Sequence, residues 1–177
     1  MKKRNKLKKI ILTALFAALT CVATLVVQIP TGTNGYVNLG DCMVLLSGFM
    51  LGAVYGPIGA ALGSAFADVI GGYYIFVPGT FVVKGLTSLT ACLILKLMTR
   101  RSERYRLPGA AVGAVAGEVV MVAGYLIYES ILPGISFVAA MTSIPGNALQ
   151  GAAGVLVSVV LYSILNKTKL ISKFGLD

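Results

Sequence analysis

An all-α membrane protein, a compact bundle of six transmembrane helices, is the fold class that this 177-residue sequence predicts, with a single domain over 1–177 and both termini cytoplasmic. Three observations predict it. Hydrophobic residues make up 57% of the chain and charged residues only 12%, with a mean hydropathy of +0.89, far from the balance that keeps a domain of this size in water. The basic residues gather at the borders of long apolar runs: Lys2, Lys3, Arg4, Lys6, Lys8 and Lys9; then Arg100, Arg101, Arg104 and Arg106; then Lys167, Lys169 and Lys173. Lys and Arg beside a span mark its cytoplasmic end, and only an even number of crossings between clusters leaves all of them on one side.

The first span covers residues 7–29. An apolar stretch of about twenty residues is long enough to cross hydrocarbon, so the basic start belongs to a retained helix and not to a cleaved signal peptide. Pro30 ends it, and Thr31-Gly32-Thr33-Asn34-Gly35 suits a turn-rich outer loop. Residues 39–69 are too long for one crossing at roughly 1.5 Å per residue, and Gly56-Pro57 divides them into spans 40–54 and 57–70. The loop 71–78, with Tyr73 and Tyr74, belongs at a membrane interface. The fourth span runs over 78–98 into the second basic cluster, the fifth over 108–131, and the sixth, after the Leu132-Pro133-Gly134 turn, over 138–165. Left undivided, 39–69 would give five crossings and put Lys167 outside; the division restores six. Glycines and alanines three and four apart, such as Gly59 with Gly63 and Gly109 with Gly113 and Gly117, allow close helix packing in lipid.

Several function classes are excluded. The net charge of +9 lies at the mouths of apolar segments and not along a polar face, which fits anionic headgroups of the lipid and no nucleic acid. The chain has no histidine, no CxxC spacing among Cys21, Cys42 and Cys92, and no GxSxG or phosphate-loop motif, so no metal, cofactor or enzymatic activity is expected.

Lys84, Glu118, Asn147 and Gln150 fall inside predicted spans. A charge at the centre of a span costs about 2.5–3.5 kcal/mol on insertion scales, so these side chains face the bundle interior. On the fifth span Glu118, Tyr125 and Glu129 share one stripe, and Asn147 and Gln150 face it from the sixth. With Lys84 they make a polar pocket in the outer half, floored by Glu118 and lidded by Tyr73 and Tyr74, with Asn38 either capping the start of the second span or serving as an outer-loop contact. The competing reading is that Lys84 and Glu118 neutralise each other while Asn147 and Gln150 act as interhelical glue. Asp41 reads as a helix cap, and Asp68 and Glu129 lie near the outer surface.

The order of short motifs resembles the S component, the substrate-binding membrane subunit, of an energy-coupling factor vitamin transporter. The residues are Ala14-x-x-x-Ala18, Tyr36-Val37-Asn38-Leu39-Gly40-Asp41, Gly71-Gly72-Tyr73-Tyr74, Val83-Lys84-Gly85-Leu86, Gly117-Glu118, Gly124-Tyr125 and Ile144-Pro145-Gly146-Asn147 with Gln150. The resemblance implies a high-affinity vitamin-binding subunit in a bacterial cell membrane, gated by outer loops. It implies that Ala14 and Ala18 dock on a transmembrane coupling subunit carrying two cytoplasmic ATPases, and that the S component topples to release cargo. Without tryptophan, ring stacking falls to Tyr73, Tyr74, Phe76 and Tyr125, and the polar set favours a pyridoxine- or hydroxymethylpyrimidine-like ring ahead of riboflavin. The alternative is a self-sufficient proton-coupled permease in which Glu118 and Lys84 titrate.

Overall fold

The computed structural model describes residues 2–30 and 36–168, with side chains from Lys6 onward. The turn at 31–35, Lys169 and Lys173 lie outside the described residues. The elements are α1 (Lys2–Val26), β1 (Gln28–Pro30), β2 (Tyr36–Asn38), α2 (Asp41–Gly71), α3 (Val77–Thr99), a 3-10 turn at Glu103–Tyr105, α4 (Arg106–Ser130), α5 (Phe137–Met141) and α6 (Ile144–Lys167). Among the described residues five helical segments are long and apolar enough to cross a membrane, and the chain is an all-helical multi-pass membrane protein. Where a loop was expected after the first span, β1 and β2 pair antiparallel, Ile29 opposite Val37.

The predicted break at Gly56-Pro57 is displaced. The helix breaks at Gly52, whose φ of 80° and ψ of −174° belong to a region open essentially to glycine alone. There the chain doubles back: the Ser47 hydroxyl donates to the Gly56 carbonyl at 3.1 Å, and a Cβ on Gly56 would meet the Ser47 carbonyl at 2.6 Å. Residues nine apart on a straight helix are about 13 Å apart, so α2 is a hairpin of two arms, 41–51 and 53–71. Pro57 is tolerated because it enters near the start of the second arm, where its missing N–H forgoes only the bond back to Ala53. The predicted sixth span is also interrupted: α5 ends at Met141 and α6 restarts at Ile144 with Pro145 in its first turn.

Close approaches fix the directions. Thr13 and Ala17 of α1 meet Gly59 and Gly63 of the second arm, so these two run parallel, while Gly113 and Gly117 of α4 meet Ala91 and Thr87 of α3 in antiparallel sense. Lys9 lies over the Tyr55 ring and Lys96 beside Gly52, so the basic residues and the α2 turn share one end of the bundle. The apolar core, including Phe16, Leu45, Phe49, Leu95, Ala114 and Tyr162, fills that basic half. The opposite half, beneath the β-hairpin, is polar.

Candidate functional site

Polar side chains from four helices and the hairpin meet in that half. Asp41 opens the first arm of α2 and is completely buried. Lys84 of α3 reaches its Oδ1 at 2.5 Å, and Gln150 of α6 donates to Oδ2 at 2.5 Å through Nε2. The same amide accepts the backbone N–H of Asn38 at 2.7 Å on Oε1, which ties β2 to the helices. Asn38 folds its own side chain back to accept the Gly40 N–H at 2.8 Å, closing the turn into α2. From α4 the Tyr125 ring lies 5.2 Å from the Lys84 ammonium, and its hydroxyl is 3.0 Å from Thr80. A buried charge is tolerable only when paired and hydrogen-bonded, and this arrangement satisfies both carboxylate oxygens of Asp41.

Toward the hairpin the walls are Thr24 of α1, Ser64 and Asp68 of α2, Thr80 of α3 and Glu129 of α4. The Tyr36 hydroxyl donates to Asp68 Oδ1 at 2.6 Å, and its ring packs against Tyr73 at 4.4 Å between centroids, tilted by 46°. Burial, with the Asp68 carboxylate beside it, holds the Tyr36 phenol well above its ordinary range, so it remains a donor at neutral pH. The cavity measures about 30 Å³, room for a water or two. A ring-sized ligand fits only when the walls part.

The structure brings together Asn38, Lys84, Tyr125, Asn147 and Gln150, as the sequence predicts. Three expectations are corrected. Glu118 does not floor the cavity: it packs against Gly151 and Gly154, behind Asp41, and borders an apolar groove between α4 and α6. It does not pair with Lys84, because Asp41 is nearer and takes that role, so Asp41 is an ion-pair partner and not a simple cap. The titrating Glu118–Lys84 pair of the permease alternative is therefore not formed. Tyr74 is 68% exposed and points away, while Tyr73 reaches the site through Tyr36. Ala14 and Ala18 sit on the exposed face of α1, opposite the buried face of Thr13, Phe16, Thr20 and Thr24.

Sequence reading missed Tyr36, Ser64, Asp68, Thr24 and Thr80 as wall residues. A signal was present: Thr20 with Thr24 and Ser64 with Asp68 stand four apart in otherwise apolar helices, which sets each pair on one face.

Comparison with known proteins agrees with this geometry. A family model described as "ECF-type riboflavin transporter, S component" matches residues 4–167. An uncharacterized protein of Pyrococcus woesei is 32% identical over 147 residues, covering 82% of this chain and 93% of the relative. A solved structure described as the S component of a bacterial ECF transporter superposes with a TM-score of 0.66 at 19% identity, over 92% of this chain and 98% of that one, and so shares the fold.

Proposed function

Because the chain belongs to the S component family of ECF-type riboflavin transporters, we propose that it captures riboflavin at the hairpin end of the bundle and delivers it through a coupling subunit driven by two ATPases. The observation that carries the reading is the convergence of Asn38, Asn147, Gln150 and the Asp41–Lys84 pair beneath the β1–β2 hairpin. Amide groups match the alternating donors and acceptors on the polar edge of a flavin ring, and Tyr36, Tyr73, Phe76 and Tyr125 offer aromatic surface for its faces. The family match moves riboflavin ahead of the smaller pyridoxine- and pyrimidine-type rings favoured by composition.

The two arms of α2 count as two crossings in this reading, giving six, with the termini and every basic cluster on the cytoplasmic side of the cell membrane. The cavity then opens outward, as an importer requires. Ala14 and Ala18 on the free face of α1 are the docking surface for the coupling subunit, since small side chains permit close helix contact. The test is mass spectrometry of ligand carried through purification in detergent, followed by titration of the emptied protein with riboflavin. Tight binding at one site per chain is expected. A different copurifying vitamin, with no response to riboflavin, would refute the cargo.

A further inference from the structure

The part of the cavity next to the hairpin offers acceptors and no free cation. Asp68, 3% exposed, lines the cavity; its Oδ1 accepts from Tyr36 and the Thr80 hydroxyl lies near the carboxyl, while Oδ2 is buried with no hydrogen bond within ordinary distance among the described residues. One helical turn away Ser64, 2% exposed, lines the same wall, and its hydroxyl has no hydrogen-bond partner among the described residues. Glu129 adds a second carboxylate from α4. Lys84 is the sole Lys or Arg on the wall among the described residues, and Asp41 holds its ammonium. The sequence has no Lys or Arg between residues 10 and 95 apart from Lys84, and none between 107 and 166, so no loop at this end supplies a cation.

An orphaned buried oxygen carries a desolvation cost that a ligand's donor group would remove. A phosphate in the same place would meet two carboxylates with no unpaired cation to offset them. We infer that Asp68 and Ser64 form the subsite for the hydroxylated chain of the cargo, selecting the free vitamin and rejecting its phosphate ester. This rests on reading the cavity as a vitamin site.

The test titrates purified protein with riboflavin and flavin mononucleotide, and with pyridoxine and pyridoxal phosphate as a second pair, by thermal shift and flavin fluorescence. Riboflavin should bind at least about a hundredfold more tightly than flavin mononucleotide. Asp68→Asn retains an amide oxygen for Tyr36, so it should fold, weaken riboflavin about tenfold and narrow the preference by a similar factor. Equal affinity for free and phosphorylated forms, or an Asp68→Asn variant with an unchanged ratio, overturns the subsite and leaves the vitamin-binding reading standing. No response to any of the four compounds overturns that reading and the subsite with it. If Asp68→Asn does not accumulate, Ser64→Ala decides: selective loss of riboflavin supports the subsite, and no loss or an equal loss of both flavins refutes it.

Discussion

Replacing Lys84 by methionine isolates what the buried ion pair contributes. The ammonium lies 2.5 Å from Asp41 Oδ1, and the two side chains are 3% and 1% exposed. Lys84→Met keeps most of the side-chain length and removes the charge, leaving the Asp41 carboxylate enclosed with the Gln150 amide on its other oxygen. Removing one partner of a buried pair costs about 3–5 kcal/mol, whereas replacing both by apolar groups is often near neutral. The unfolding equilibrium constant should therefore rise by roughly two to four powers of ten in Lys84→Met, and Asp41→Leu/Lys84→Met should recover much of the loss. The assay is reversible unfolding in mixed micelles by SDS titration, run on wild type, both single variants and the double variant. A coupling energy of at least about 2 kcal/mol is expected. A Lys84→Met protein within about 1 kcal/mol of wild type, or a coupling near zero, would mean that water already solvates the pair, and the enclosed-network argument would fail.

Gly52→Ala places a side chain where φ is 80°, so it should destabilise by about 1–3 kcal/mol in the same titration, with any hairpin misfolding visible as loss of monodisperse protein on size exclusion. Glu118→Gln keeps the size of a carboxyl whose two oxygens lack hydrogen-bond partners among the described residues and which lies outside the cavity wall. It should leave riboflavin affinity within about twofold and stability within about 1 kcal/mol, because an unpartnered carboxyl is exchanged for an unpartnered amide; a large loss of affinity would restore Glu118 to the site. Ala18→Trp alters the exposed face of α1 alone, so thermal stability and riboflavin titration should be unchanged while copurification with the coupling subunit is lost.

Charge placement and hydropathy made most of the architecture legible. The clusters at Lys9, Arg100–Arg106 and Lys167 bracket the apolar runs, and the structure gathers Lys9, Lys96 and the α2 turn at one end. The position of the α2 break was not legible, because Gly52 has no proline beside it and its conformation is dictated by the second arm packing back on Ser47 and Gly48. Gly56-Pro57 is the stronger local signal, yet helix geometry accommodates it within the first turns. In the site, residues of long reach inside spans, Lys84 and Gln150, announced themselves by their insertion cost. Asp41 did not, because an acid at a helix start has a sufficient local explanation and only the fold brings Lys84 to it from 43 residues away. The choice between Asp41 and Glu118 as the partner is a matter of helix rotation, which hydropathy does not encode.

The division of the bundle into a dry half and a polar half has a mechanical consequence. Phe16, Leu45, Phe49, Leu95 and Tyr162 lock the basic half through apolar packing that no ligand need disturb. The hairpin, by contrast, meets the helices among the described residues through the Asn38–Gln150 and Tyr36–Asp68 hydrogen bonds and the Tyr36–Tyr73 ring contact. Hydrogen bonds of this kind contribute about 1 kcal/mol each, somewhat more to a carboxylate, so lifting the hairpin costs far less than separating the core helices. A cavity of about 30 Å³ has to enlarge before any ring-sized ligand enters, and an enlargement at the hairpin would free the Gln150 carbonyl, the Asn38 N–H and the Asp68 carboxylate. Opening at the hairpin would therefore expose these polar groups in the same step, so a ligand bound there would have to replace the interactions that now close the cavity.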